Sequence, residues 1–217
     1  FTLAMTLFFT RQVLQLCGRQ DSVQARIAEE YQVCHDNGFV FFESHALFAQ
    51  AEALLRRGEA DSARPLLAQG LQILAASGGR LSMDVPFRNL AEAFLDVGLT
   101  TEAREWLARG FELVNNHNQR CLESEFWRLQ GRLALAQGNA AAAEADFRTA
   151  VEVARRQAAR SLELRAVMQL AELLRQQGHK AAIAEWVAPV YRQFQEGFDT
   201  ADLAKAATWV AECDLQA

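Results

Sequence analysis

Only three of the 217 residues are proline, and almost no stretch alternates apolar with polar residues as a half-buried strand does. Helices can therefore run on, and a sheet has no sequence to build it. Long apolar runs are missing too: FTLAMTLFF, residues 1–9, is too short to span a bilayer. Basic residues do not dominate, with 22 Lys and Arg against 27 Asp and Glu and a net charge of −5. That balance disfavours nonspecific nucleic-acid binding, which needs a basic surface. The four cysteines, Cys17, Cys34, Cys121 and Cys213, form no CxxC pair and read as free thiols in a reducing cytoplasm.

Chemical signatures are equally sparse. No GxxxxGK[ST] phosphate loop, HExxH zinc helix, GxSxG elbow or glycine-rich dinucleotide fingerprint occurs. Cys34, His35 and Asp36 are adjacent, so they point in different directions from a helix end, where a histidine is favourable without any metal. His45, His117 and His179 are scattered, and none pairs with another at i, i+4. The expectation is a chain with no catalytic residue, no metal and no cofactor of its own.

What is present is a glycine every 40 residues: Gly18, Gly58, Gly98, Gly138 and Gly178. Seven residues before the last four stand Ala51, Ala91, Gly131 and Ala171, and five after them stand Ala63, Ala103, Ala143 and Ile183. Small side chains on both sides of a turn let two antiparallel helices approach closely. Large apolar residues recur nine after each glycine (Ile27, Leu67, Leu107, Phe147, Val187) and eleven before (Leu7, Leu47, Phe87, Trp127, Val167), filling the space between helices.

This order of large, small, glycine, alanine and large resembles the tetratricopeptide repeat, although that family's period is about 34 residues. The proline that usually ends its second helix is replaced here by His35, Ala75, Asn115, Arg155 and Gln195. The resemblance implies an all-α, right-handed superhelix of about five antiparallel helix hairpins. One domain over 1–217 is expected, with repeats near 1–38, 39–78, 79–118, 119–158 and 159–198 and a C-terminal capping helix in 199–217.

Helices are predicted near 2–16, 21–36, 41–57, 60–77, 82–97, 100–117, 119–137, 140–158, 160–177, 180–195 and 200–213. Gly38, Gly78 and Gly197 stand where left-handed helix stops are wanted. Ser82, Thr100 or Thr101, and Asp199 or Thr200 suit N-caps. Pro189 lies deep enough in its helix to kink it or break its hydrogen bonding. The glycine series places FTLAMTLFF on a repeat already under way, as in a piece of a longer protein; a signal peptide would need a basic n-region and a small-residue cleavage site.

In tetratricopeptide superhelices the first helix of each hairpin lines a concave groove. Mapped through the glycines, one row is Phe8, Phe48, Arg88, Arg128 and Met168, and the other is Gln12, Glu52, Glu92, Arg132 and Glu172, with Arg165 and Arg175 nearby. Arg88, Arg128, Arg132 and Arg165 could grip a carboxylate or phosphate. Alternatively they form a solvated face paired with Glu92, Glu125 and Glu172. The segment FVFFESH, 39–45, is a second surface whose three phenylalanines pack on a neighbouring repeat or on something outside the chain.

ESEFWRLQGRL at 123–133, ARRQAARSLELRA at 154–166 and EGFDTADL at 196–203 resemble the closing segment of large bacterial signalling proteins. In these a helical repeat region follows a P-loop ATPase, with a nucleotide cyclase or helix-turn-helix domain at the N-terminus. The resemblance implies a noncatalytic regulatory arm that docks a protein segment or a neighbouring domain of its parent. The alternative is a sensor whose groove binds an anionic small-molecule effector. Neither direct nucleic-acid contact nor a membrane is expected.

Overall fold

The computed structural model of the protein describes residues 1–17, 19–79 and 82–214. Gly18, first of the glycine series, lies outside the described residues, as does the end of the expected cap. Among the described residues the chain is all-helical, without strands. In order, the α-helices are α1 (Thr2–Leu16), α2 (Gln20–Asp36), α3 (Val40–Arg56), α4 (Ala60–Ser77), α5 (Asp84–Asp96), α6 (Thr100–His117), α7 (Glu123–Ala136), α8 (Ala140–Arg156) and α9 (Arg160–Gln176). A π-helical turn (Ile183–Val187), α10 (Ala188–Tyr191) and α11 (Ala201–Asp214) follow.

The helices stop for a common reason. Gly58, Gly98, Gly138 and Gly178 all take left-handed backbone, at φ of 80°, 77°, 76° and 94°. At Gly58 the amide donates to Leu55 O and the next amide, Glu59 N, reaches back to Leu54 O at 3.0 Å. This double closure satisfies carbonyls that the helix end leaves orphaned. Gly38, Gly78 and Gly197 are left-handed as well, and so are Asn118 and Ala158. A left-handed stop thus falls every 20 residues from 38 to 178, twice as often as the glycine series suggests.

From α1 to α4 each helix packs on the next, and so do α7, α8 and α9. The small positions do what their size predicts: Ala51, Ala91, Ala171, Ala63, Ala103 and Ala143 are all fully buried. At Gly131 an added Cβ would lie 2.5 Å from Phe147 Cε1 and 3.1 Å from the Ala143 carbonyl oxygen. Of the large apolar positions, Trp127 alone is only partly buried.

The chain divides into two compact units, Phe1–Leu113 and Val114–Ala217, with the boundary inside the last turns of α6. In the first, Phe48, Phe87 and Trp106 meet edge-on or tilted with centroids 5.4–6.3 Å apart. In the second, one apolar cluster extends from Ala134 to Val210.

Several boundaries differ from expectation. Ser82 caps nothing: it is left-handed, at φ 54°, and α5 begins at Asp84. The helix expected from 119 starts at Glu123, after a turn in which Arg120 donates to Asn118 and Glu123. The cap of α8 is Asn139, whose side chain accepts from the Ala142 amide at 3.0 Å. The helix expected at 180–195 becomes a π-turn followed by the short α10, with Pro189 in the first turn of α10. Proline cannot donate to the carbonyl four residues back, and the wider turn just before it accommodates that loss. Pro65, by contrast, is carried within an unbroken α4.

Candidate functional site

The residues of the mapped groove part into two kinds. Phe8, Phe48 and Met168 are core side chains, 1%, 1% and 5% exposed. Phe8 packs with Ala4, Cys34 and Phe42, and its ring meets His45 at 4.7 Å. Phe48 fills the space that Gly70 leaves open, 2.8 Å from where a Cβ would be. A first helix flanked by neighbours on two sides buries more of its circumference than a single stripe, so the row from Phe8 to Met168 turns inward, while of the second row only Glu52 is buried. Twelve of the 17 residues of α3 are buried.

The arginines are engaged within the chain. In the first unit a polar ladder crosses α1, α2, α3 and α5. Arg11 donates to both oxygens of Glu30, at 2.6 and 3.1 Å, and to Gln15. Gln15 donates to Glu52 at 2.8 Å, and Asn89 donates to the same carboxylate oxygen at 3.2 Å. Arg56 holds the other Glu52 oxygen and reaches Asp96. Arg88 donates to Asn89 at 2.7 Å and stands 3.3 Å from Glu92.

A second network lies in the other unit. Arg128 donates to both oxygens of the fully buried Glu125, at 2.8 and 3.0 Å. Arg165 comes within 3.6 Å of Glu125 and donates to Asp202 at 2.6 Å. Glu163 is taken instead by Arg155, and Glu172 by Arg175. Arg132 is half-buried on α7. Buried charges need partners of opposite sign to offset desolvation, and these networks supply them.

One opening is apolar throughout. A cleft of about 370 Å³ in the first unit is lined by Phe1, Met5, Phe8, Phe9, Phe41, Phe42 and Gly79. Phe1 and Phe9 are 69% and 49% exposed, although Phe1 meets Phe39 and Phe42 edge-on. The FVFFESH segment therefore serves two ends: Phe42 and His45 are buried, and Phe41 and Phe42 also form a wall of the cleft. The FVFFESH segment stands out in the sequence, but its opposite wall, Phe1 together with Met5 and Phe9 of α1, does not. The signal was there, as two apolar runs 40 residues apart.

Titration adds local detail. The His35 Nδ1 lies 2.9 Å from a Glu43 carboxylate oxygen and donates to it when protonated, and that bond together with the glutamate's charge raises the histidine pKa above 6.5. Burial, with Glu30 and Glu43 nearby, pushes the Cys34 thiol up to about 11. No group of three or more His, Cys, Asp or Glu side chains is placed to hold a metal among the described residues.

No protein-family model matches the chain, and no curated protein matches it.

Proposed function

We propose that the chain is a noncatalytic protein-interaction and regulatory module. It is a right-handed, tetratricopeptide-like superhelix of about five helix pairs, and it acts as the cytoplasmic repeat arm of a bacterial signalling ATPase, cyclase or transcriptional regulator. Its partner is a protein segment or a neighbouring domain of that parent. The paired helices with left-handed stops support the repeat reading, and the segments 123–133, 154–166 and 196–203 support the regulator reading.

The observation that carries the binding reading is the apolar cleft with two exposed phenylalanines on its wall. Exposed aromatic side chains around a concavity are where apolar anchors of a protein partner gain most from leaving water. Arg88, Arg128 and Arg165 each face a carboxylate of the chain itself, which favours a protein partner over an anionic metabolite.

Helical peptides selected from a displayed library on the full chain test this reading. Binding is expected to weaken at least tenfold, about 1.4 kcal/mol, in Phe9→Ser and Met5→Ser. Selected peptides that bind both variants as tightly as the parent would remove the cleft from the account. Turnover of ATP or GTP by the purified chain would overturn the noncatalytic reading.

A further inference from the structure

The outer arc of α1 is uncharged and open, whereas the same arc of later helices is covered. Phe9 and Val13 are 49% and 58% exposed; forty residues on, Ala49 and Ala53 of α3 are 3% and 7% exposed. Leu3 is 53% exposed, and its counterpart Glu43 is 8% exposed. A further 40 residues on, Met83 at the N-cap of α5 and Asn89 and Ala93 within it are buried too. On α3 the cover is known: Val23 and Ile27 of α2 form one cluster with Ala49 and Ala53.

The chemistry of the α1 arc narrows what can cover it. Thr6 lies between Leu3 and Phe9, and its hydroxyl donates to the Thr2 carbonyl, so it asks nothing of a partner. Arg11, the nearest charge on the helix, is turned inward to Glu30. An arc without lysine or arginine suits neither an anionic surface nor a charged peptide. Bulk is the second constraint. Where α3 presents alanine to Val23 and Ile27, α1 presents phenylalanine and valine, so at the same helix spacing the facing residues must be smaller.

We propose that the Leu3, Thr6, Phe9, Val13 arc of α1 is a docking face for a helix pair of the class found in this chain, one whose second helix carries alanine or glycine where α2 carries Val23 and Ile27. The proposal deepens the interaction-module reading and rests on it. The arc shares Phe9 with the rim of the cleft, while Leu3, Thr6 and Val13 lie outside it, and its test uses no cleft ligand.

The test fuses a copy of residues 1–40 directly ahead of Phe1 of the full chain, which keeps the 40-residue register. In one fusion the copy carries Val23→Ala and Ile27→Ala. In a second the copy is unaltered and the original α1 carries Phe9→Ala and Val13→Ala, reproducing the packing already present on α3. Hydrogen exchange of the α1 amides is expected to slow about tenfold or more in both. A fusion with neither set of substitutions should protect α1 less. Unchanged α1 exchange in both fusions overturns the proposal. So does sedimentation of the unfused chain as a dimer that Leu3→Ser with Val13→Ser dissolves, because the occupant would then be a second copy. Either failure leaves peptide binding in the cleft standing, and loss of cleft binding leaves the α1 exchange result standing.

Discussion

Asn89 donates its side-chain amide to Glu52 across 37 residues, the separation that also joins Gln15 to Glu52 and Arg165 to Asp202. Thirty-seven is the 40-residue spacing less about one helical turn, so successive first helices meet one turn out of step. Glu52 lies at the centre of this ladder, with Gln15 and Asn89 converging on one oxygen and Arg56 on the other.

Glu52→Ala leaves Gln15, Arg56 and Asn89 short of an acceptor in a buried setting, and is expected to cost about 3–5 kcal/mol in urea unfolding. Glu144→Ala, which removes an exposed pair with Arg148, should cost under about 1 kcal/mol. Equal costs would mean that the ladder is open to water.

Ala158 holds the left-handed conformation that glycine supplies at 138 and 178, with φ 52° and the same pair of closing hydrogen bonds, to Arg155 O and Ala154 O. Relief of that strain outweighs the extra freedom glycine gives the unfolded chain, so Ala158→Gly should stabilise by about 0.5–1 kcal/mol and raise Tm. A lowered Tm would mean that the stop at 158 is not left-handed in solution.

Helix spacing at the second unit is tested by Gly131 and Ala143. Ala143 is fully buried and its carbonyl oxygen closes on Gly131. Ala143→Leu is expected to cost about 1–3 kcal/mol, and Gly131→Ala to fall in the same range because Phe147 must move. Unchanged denaturation midpoints would put the close approach elsewhere.

The His35–Glu43 pair makes stability depend on pH in a definite direction. Folding raises the histidine pKa above 6.5, so the folded chain binds the proton more tightly than the unfolded one. The pair's stabilisation is fully present below pH 6.5 and is lost as pH rises through the raised value. His35→Gln should flatten the fall in thermal stability above pH 6.5, and an unchanged slope would assign that fall to other groups.

Cysteine reactivity separates exposed from buried thiols. Cys121 is exposed, whereas Cys34 is fully buried with its pKa pushed up to about 11. Mass spectrometry after brief iodoacetamide treatment should find Cys121 alkylated and Cys34 intact until the chain is unfolded. Early alkylation of Cys34 would show that the packing of α2 against Phe8 and Phe42 opens readily.

Much of the helix order was legible because glycine marks a left-handed stop openly. Asn118 and Ala158 make the same stop without glycine, which hid the 20-residue cadence behind a 40-residue one. The turn to a π-helix before Pro189 was legible only as a disruption. The groove rows were harder. Phe8 and Phe48 share a helical stripe with Arg88 and Arg128, but neighbours on both sides draw the aromatics into the core and pull the arginines onto Asn89 and Glu92, and onto Glu125. Pairing at i, i+37 depends on how helices stack, which spacing along one helix does not carry. The cleft is not legible in the sequence because its walls, 1–9 and 41–42, are separate runs until α1 and α3 lie side by side.

The central claim is that this chain binds a protein partner through the apolar cleft, and hydrogen exchange of the full chain with and without a selected helical peptide tests it most directly. The account predicts slowed exchange confined to 1–9 and 39–45. Protection centred instead on α7 and α9, around Arg128 and Arg165, would contradict it.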